Sequence, residues 1–322
     1  MFQIFTTLAD FFLQILQLDV REHWVKALHF FIEDTTKIFF LVLTMIYFIS
    51  LLRYSINLDF VRTKLEGKSK WLGYLGGSFF GAITPFCSCS SIPLFLGFTA
   101  AKIPMGATLA FLITSPLVNE VALLLLLSIL GIKFTIIYMM MGILIGILGG
   151  IFFDFLKSEK HLQPLTLLAT ETQLQKTIPI KNHKALFSIR HQFALKECKE
   201  ILQRIWKWIF LGIGVGAFFH GFIPENWFVE NLQNKVLSVP MGVLISVPLY
   251  SNASGMIPII ESLINKGLPV GTAMAIMMST VGASIPEFLL LKEVLKAKLL
   301  CQLFIFFLVS FTLLGWLLNT VY

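Results

Sequence analysis

Charge is what this sequence has least of. Asp, Glu, Lys and Arg make up 13% of its 322 residues while 57% are apolar, against roughly 25% and 45–50% in a soluble globular domain. That balance excludes an ordinary soluble enzyme. Cysteine is also scarce: Cys87, Cys89, Cys198 and Cys301 are too few and too unevenly spread for the disulfide framework of a secreted protein. Missing as well are a phosphate loop, an HExxH pair, a nucleophile elbow and a dinucleotide fingerprint, so no motif supports an ATPase, a cofactor enzyme, a resident metal or a nucleic-acid partner. The start of the chain lacks a basic n-region and places Asp10 within its apolar stretch, which argues against a cleavable signal peptide.

What is present is a series of long apolar runs. A hydrocarbon core about 30 Å thick takes roughly 20 residues of helix, and six runs read as spans: 35–52, 105–130, 134–155, 202–221, 270–291 and 299–318. Two more stretches, 71–101 and 239–264, are interrupted by Pro85 to Pro93 and by Pro248 to Pro258. Prolines remove backbone donors and hydroxyl side chains compete for backbone bonds, so each stretch predicts two half-helices joined by an unwound tip. Such a tip must be buried in protein or line an aqueous cavity. The expected organisation is an interfacial segment over 1–34 (an additional span being the alternative), a first transmembrane repeat over 35–156, a polar cytoplasmic linker over 157–198 and a second transmembrane repeat over 199–322.

The two hydrophobic halves match at low identity. Moving the first onto the second by 165 positions superposes Ile92-Pro93 on Ile257-Pro258, Pro104 on Pro269, Gly106 on Gly271 and Ala110 on Ala275 without a gap. Basic residues stay cytoplasmic near span ends. If both broken stretches re-enter, five basic residues in 53–70, one at Lys102, ten in 157–207 and three in 292–298 fall inside, 19 of the 25. Each half then makes three full crossings, an odd number, and the second is inserted upside down. The expected fold is an all-α polytopic protein of the inner (plasma) membrane, multi-pass, with two inverted-topology repeats. Each repeat carries a broken re-entrant hairpin, and the hairpins meet near the midplane as in many secondary transporters.

The first tip, Thr84-Pro85-Phe86-Cys87-Ser88-Cys89-Ser90-Ser91, holds two thiols one residue apart, and thiolates favour soft acceptors. A lone membrane cysteine is ordinarily a small packing residue, which is how Cys198 and Cys301 read. The second tip offers Tyr250, Ser251, Asn252 and Ser254, with Asn252 and Ser254 opposite Cys87 and Cys89 in the alignment. A site between such tips would be asymmetric, with thiols, Ser90 and Ser91 on one wall and hydroxyl and amide groups on the other. Asn119 would orient a solute. Glu120 and Glu287 are acids inside spans, which are costly and ordinarily face a cavity or a partner; burial would raise their pKa toward neutrality and suit them to proton coupling. Their structural alternative is a protonated or bonded acid near an interface. Gly142, Gly146 and Gly150 form a stripe suited to close helix packing.

The run from Thr84 to Pro93, then Pro104-Met105-Gly106-Ala107 and Ser115-Pro116-Leu117-Val118-Asn119, with Ile257-Pro258 and Ser284-Ile285-Pro286-Glu287, resembles the predicted permeases typified by the ArsP organoarsenical efflux permeases. The resemblance spans both halves but not the leader or linker. It implies a transporter rather than an enzyme, export of trivalent organoarsenicals such as methylarsenite, arsenical resistance, and Cys87 and Cys89 as candidate ligands. Transport of another small solute such as an inorganic sulfur compound, and a membrane thiol oxidoreductase using the same cysteines, are the alternative readings. The expected partners are a small-molecule substrate and the lipid bilayer; the sequence says nothing of oligomeric state.

Overall fold

A computed structural model describes residues 3–15, 23–55, 70–84, 88–158, 162, 237–248, 253–292 and 294–321, and most of 190–214. All regular elements among these residues are α-helices: α1 (Gln3–Ile15), α2 (His23–Ser55), α3 (Lys70–Ile83), α4 (Ser88–Ala100), α5 (Met105–Leu117), α6 (Glu120–Ile129), α7 (Ile132–Phe155), α8 (Ser238–Ser246), α9 (Ala253–Asn265), α10 (Val270–Gly282), α11 (Ile285–Leu291) and α12 (Ala297–Val321). The described residues between 190 and 214 are helical too. Most of the expected linker and the end of the expected span 202–221 lie outside the described residues.

Helices α7 and α12, and α10 read through to Leu289, are long and apolar enough to cross a membrane. Along α7, Ile132, Ile136, Met140, Leu144, Leu148 and Phe152 are exposed at four-residue steps. Tyr138, Gly142, Ile145, Gly146 and Gly150 are buried on the opposite side. An apolar outer face over a small-residue inner face suits acyl chains outside and close helix contact inside.

The two stretches expected to break do so. Helix α3 stops before Pro85, where the Phe80 carbonyl accepts both from the Thr84 hydroxyl at 2.7 Å and from the Thr84 N–H at 3.1 Å. Helix α8 stops before Pro248 and α9 begins at Ala253. Two further runs have breaks, and for the first this is a correction. The run 105–130 breaks at Val118 and Asn119 with a 43° bend, where Pro116 has no N–H for the Leu112 carbonyl and Val118 leaves the helical region at φ −109° and ψ 88°. The run 270–291 keeps its expected length as a span, with a two-residue break in the helix at Ala283 and Ser284. Pro286 cannot serve the Gly282 carbonyl, so the chain restarts with the proline in the first turn of α11, where its missing donor costs nothing.

The chain forms two compact units, one of residues 43–204 and 290–306, the other of 1–42, 205–289 and 307–322. In the first, α3, α5 and α7 pack closely. Ser78 Oγ lies 2.8 Å from Thr114 Oγ1 and donates to the Ile143 carbonyl at 2.9 Å. A Cβ placed on Gly106 would lie 2.8 Å from the Gly150 carbonyl oxygen, a spacing that only glycine permits. At the end of α7, Asp154 accepts from Tyr74 and from Lys70, each at 2.8 Å. Tyr47 and His191 meet at 2.8 Å, and the Cys198 thiol points at the Leu43 carbonyl.

In the second unit, Ser279 donates to the Val243 carbonyl at 2.9 Å, and Ser238 and Thr272 hydroxyls lie 2.9 Å apart. Gly271 meets Gly315 through their backbones, and Asn319 accepts from the Gly271 N–H at 2.7 Å. Phe210 packs on Phe31 and Phe39. Helix α1 runs antiparallel beside α2, with Thr6 donating to Glu33 at 3.0 Å, Asp10 2.9 Å from His29, and Phe5 on Phe40. Thirteen residues of helix reach about 20 Å, short of a full crossing.

Element bounds recur at one offset. Ser88–Ala100 and Ala253–Asn265, and Met105–Leu117 and Val270–Gly282, match at both ends when 165 is added; α6 and α11 start at 120 and 285, α7 and α12 at 132 and 297. The turn before α5 puts Lys102 at φ 57° and bonds Ile103 N–H to Phe98, while the turn before α10 puts Gly267 at φ 97° and bonds Leu268 N–H to Leu263. Both are helix ends with a left-handed residue and a six-to-one bond. Gly106 and Gly150 correspond to Gly271 and Gly315, Asp154 to Asn319, and the Ser78 and Thr114 pair to Val243 and Ser279.

Candidate functional site

The first site region forms where the start of α4 meets the end of α5. Cys87 lies outside the described residues, as do Pro85 and Phe86; Cys89 and Ser90 lie in the first turn of α4 with their side chains outside the description. Pro93 follows four residues after Cys89, so the Cys89 carbonyl lacks its ordinary helical donor. Ser91 is wholly buried and lies 2.7 Å from Ser115, also wholly buried and one turn before the break in 105–130. The first turns of α4 and the interrupted span are thus tied together by two hydroxyls. Asn119 is half-buried within the interruption. Glu120, the first residue of α6, is exposed, in a position where a carboxylate complements the positive end of a helix.

The second region is built the same way. Tyr250 and Asn252 lie outside the described residues, and Ser254 sits in the first turn of α9 with its side chain outside the description. Pro258 follows Ser254 by four residues, so the Ser254 carbonyl is released as the Cys89 carbonyl is. Here the tie is through the backbone: the Ile285 N–H at the start of α11 donates to the Val247 carbonyl at the end of α8, 3.0 Å away. Glu287 is buried in the first turn of α11. At the 165 offset Glu120 corresponds to Ile285 and Glu287 to Ala122, so the two acids are not equivalent. Met256 and Thr280 take the places of Ser91 and Ser115; Met256 is buried and brings a soft thioether beside a tip that has no thiol.

Three features escaped the sequence. The Ser91–Ser115 pair joins residues 24 positions apart, and serine in an apolar run gives no hint of its partner. The Ile285–Val247 bond is between main-chain atoms, which no side-chain pattern encodes. Tyr138 is wholly buried and its hydroxyl has no hydrogen-bond partner among the described residues; a single phenol in the otherwise apolar run 134–155 was the available signal. Among the described residues no three His, Cys, Asp or Glu side chains are placed to hold a metal ion.

Comparison with known proteins places these features in a family. The UPF0718 protein YraQ of Escherichia coli is 24% identical over 253 residues, covering 78% of this chain and 68% of its own. The UPF0718 protein MJ0584 of Methanocaldococcus jannaschii is 22% identical over 286 residues, covering 73% of this chain and 78% of its own. No solved structure matches. A family model described as "Predicted permease" matches residues 23–320, from the start of α2 almost to the end of α12, and the chain therefore belongs to the ArsP_1 family of predicted permeases.

Proposed function

We propose that this permease is a secondary transporter of inverted-repeat architecture, multi-pass in the inner (plasma) membrane, that exports a small thiol-reactive solute such as a trivalent organoarsenical. The observation that carries the reading is the duplicated pair of interrupted helices, each with a proline that frees a backbone carbonyl at its tip. Lipid offers no partner for such groups, so they persist where protein or a polar solute meets them.

Inversion has independent support. Adding 165 to α2 gives 188–220, which encloses the helical residues 190–214. In one unit, Tyr47 pairs with His191 and Leu43 with Cys198; in the other, Phe31 and Phe39 pair with Phe210. Numbers rise along α2 as they fall along the partner, so α2 and its own counterpart run antiparallel, as the first spans of two oppositely inserted halves must.

Cys87 and Cys89 would bind the solute. Methylarsenite carries two exchangeable hydroxyls, and each thiol would form an As–S bond in place of an As–O bond with release of one water. Ser90, Ser91, Asn119, Tyr250, Asn252 and Ser254 would orient it. Glu287, buried in the first turn of α11, is the better placed of the two acids to exchange a proton during the cycle, and Glu120 would belong to the polar network. The test is resistance to methylarsenite in cells lacking other exporters. Replacing both cysteines, Cys87→Ser with Cys89→Ser, is expected to abolish it at equal expression. Unchanged resistance removes the thiol assignment, and flux of thiosulfate but not methylarsenite into inverted vesicles would move the reading to an inorganic sulfur solute.

A further inference from the structure

The carboxyl end of α7 and the amino end of α12 are fastened together within one unit. Phe306 of α12 stacks on Phe152 of α7 at 5.5 Å between ring centroids and meets Phe153 edge-on at 5.7 Å. A Cβ on Gly149 would lie 3.2 Å from the Phe306 ring. Beyond that contact, Leu162 forms an antiparallel β-bridge with Leu295. Numbers rise from Phe152 to Leu162 as they fall from Phe306 to Leu295, so the two helices run antiparallel and both segments continue past the phenylalanines in the same direction. At the helical rise per residue, Lys157 lies about 8 Å and Lys298 about 12 Å beyond them.

The joint is fixed as well as close. Lys157 turns the chain out of α7 at φ 50°, and the buried Ser158 hydroxyl donates to the Phe153 carbonyl at 2.8 Å. Leu295 is wholly buried and Leu162 nearly so, while Lys157, Lys292, Lys296 and Lys298 are exposed. The segments 157–161 and 292–298 hold five lysines and two glutamates, and the neighbouring Asp154 is taken up by Lys70 and Tyr74. The start of α12 adds the positive end of a 25-residue helix. Orientation in a membrane requires positive charge near span ends, but a loosely tethered linker would meet that need. Ordering it against the turn before α12 costs backbone entropy and holds the lysines in one place. Beside them the surface is apolar: Phe155, the last residue of α7, is 84% exposed, and Phe152 and Ile305 are exposed as well. A basic cap over the apolar flank of two adjoining helices is the profile of a lipid headgroup site.

We infer that the joined ends of α7 and α12 bind an anionic phospholipid of the cytoplasmic leaflet, with Lys157, Lys292, Lys296 and Lys298 on its phosphate and its acyl chains along Phe152, Phe155 and Ile305. The inference goes beyond the solute pathway. From the reading above it takes only the membrane orientation, which puts both lysine segments at the cytoplasmic face. A lipid is favoured over a free anion because the apolar flank receives its chains. It is favoured over an acidic peptide because Lys157 follows the last apolar residues of α7 at once, at headgroup depth.

The experiment uses the full chain in detergent, with native mass spectrometry reporting bound dioleoylphosphatidylglycerol or dioleoylphosphatidylcholine. The native chain is expected to retain the phosphatidylglycerol preferentially and to melt at a higher temperature in its presence. Neutralising three lysines of the cluster, by Lys157→Gln with Lys296→Gln and Lys298→Gln, is expected to weaken that binding about a hundredfold, at about fivefold per charge. The same three positions changed to arginine are expected to preserve it. Neutralising three lysines of the linker, by Lys176→Gln with Lys181→Gln and Lys184→Gln, is expected to leave it within about threefold. Equal losses from the two neutralised variants would mean diffuse charge and overturn the inference, as would equal retention of the two lipids. An equal rise in melting temperature with inorganic phosphate would mean a free-anion site and overturn the lipid assignment. Should the cluster variant fail to insert, Lys157→Gln alone decides: a loss of about fivefold supports the site and no loss overturns it. Methylarsenite resistance tests the transport reading through Cys87 and Cys89, so either proposal can fail without the other.

Discussion

The contact between α5 and α7 makes a sharp prediction because glycine stands on both sides of it. A Cβ on Gly106 would sit 2.8 Å from the Gly150 carbonyl oxygen and 3.0 Å from Asp154 Cβ, with Tyr74 Cε1 closer still. Two of these obstacles, the carbonyl and the Asp154 Cβ, are fixed to the backbone of α7, so Gly106→Ala can be accommodated only if the helices move apart. Overpacking of this kind costs about 1–3 kcal/mol. Alanine recovers up to about 1 kcal/mol through its better helix propensity, which leaves a net loss of up to about 2 kcal/mol. Gly76→Ala in α3 is the control. Gly76 has nothing within 4 Å of the position its Cβ would occupy, so the same chemical change should raise stability by about 0.5–1 kcal/mol. Reversible unfolding in mixed micelles, followed by helical circular dichroism, would place the two variants on opposite sides of the native protein. If Gly106→Ala proved as stable as Gly76→Ala, the close approach of α5 to α7 would not be what holds this unit together.

Further outcomes follow from the same geometry. Lys102 is exposed and left-handed at φ 57°, where its counterpart is glycine. Lys102→Gly should therefore raise stability by about 1 kcal/mol by relieving a conformation unfavourable to a side chain, read as a higher melting temperature. Asp154→Asn, which installs the residue found at the equivalent position 319, should cost less than about 1 kcal/mol because Lys70 is largely exposed. Tyr74→Phe should cost about 1 kcal/mol for its lost hydrogen bond. Glu287→Gln should leave solute binding intact, measured by methylarsenite-dependent thermal shift, while removing the response of vesicle flux to an imposed pH gradient. Persistence of that response would shift proton coupling away from Glu287.

The legible part of the fold was whatever polarity and proline dictate. Pro85, Pro93, Pro248 and Pro258 marked both tips because a missing N–H acts wherever it occurs, and α7 and α12 announced themselves through length and apolarity. The interruptions at Val118 and Ala283 were harder to read. Pro116 and Pro286 were visible, but helices in lipid tolerate proline when a neighbour satisfies the released groups, and the neighbour for Ile285 is a main-chain carbonyl 38 positions away in the chain. The site was legible as residue types and not as pairings. Ser91 stands in the first tip's hydroxyl cluster and Ser115 in a family-like motif, but their bond depends on how α4 folds back on α5. Tyr138 was missed because its significance lies in a hydrogen bond that it does not make with the described protein, and a sequence lists groups without saying which are satisfied.

What the two halves keep and what they change separate scaffold from chemistry. Where helices only pack, the geometry survives a change of residue: Ser78 and Thr114 join hydroxyl to hydroxyl, while Val243 and Ser279 join the same positions through a main-chain carbonyl. Either bond fixes the first arm of a hairpin to the following helix, and either is worth about 1 kcal/mol, so nothing favours one chemistry over the other. At the tips the frame is kept and the side chains are not. The prolines that free a carbonyl recur at 93 and 258, but Cys87 and Cys89 face Asn252 and Ser254 across the alignment, and Ser91 faces Met256. A duplicated frame holding unlike donors suits a solute with unlike ends, a soft atom for the thiols of one tip and a second face for the amide and hydroxyl groups of the other. A symmetric ion would be served by matched tips, and equal donors at 87 and 252 would then be the expected result of duplication. Restoring that symmetry by Asn252→Cys should therefore weaken transport of a solute with two exchangeable positions, since a third thiol has no hydroxyl left to replace, while improving capture of inorganic arsenite, which offers three.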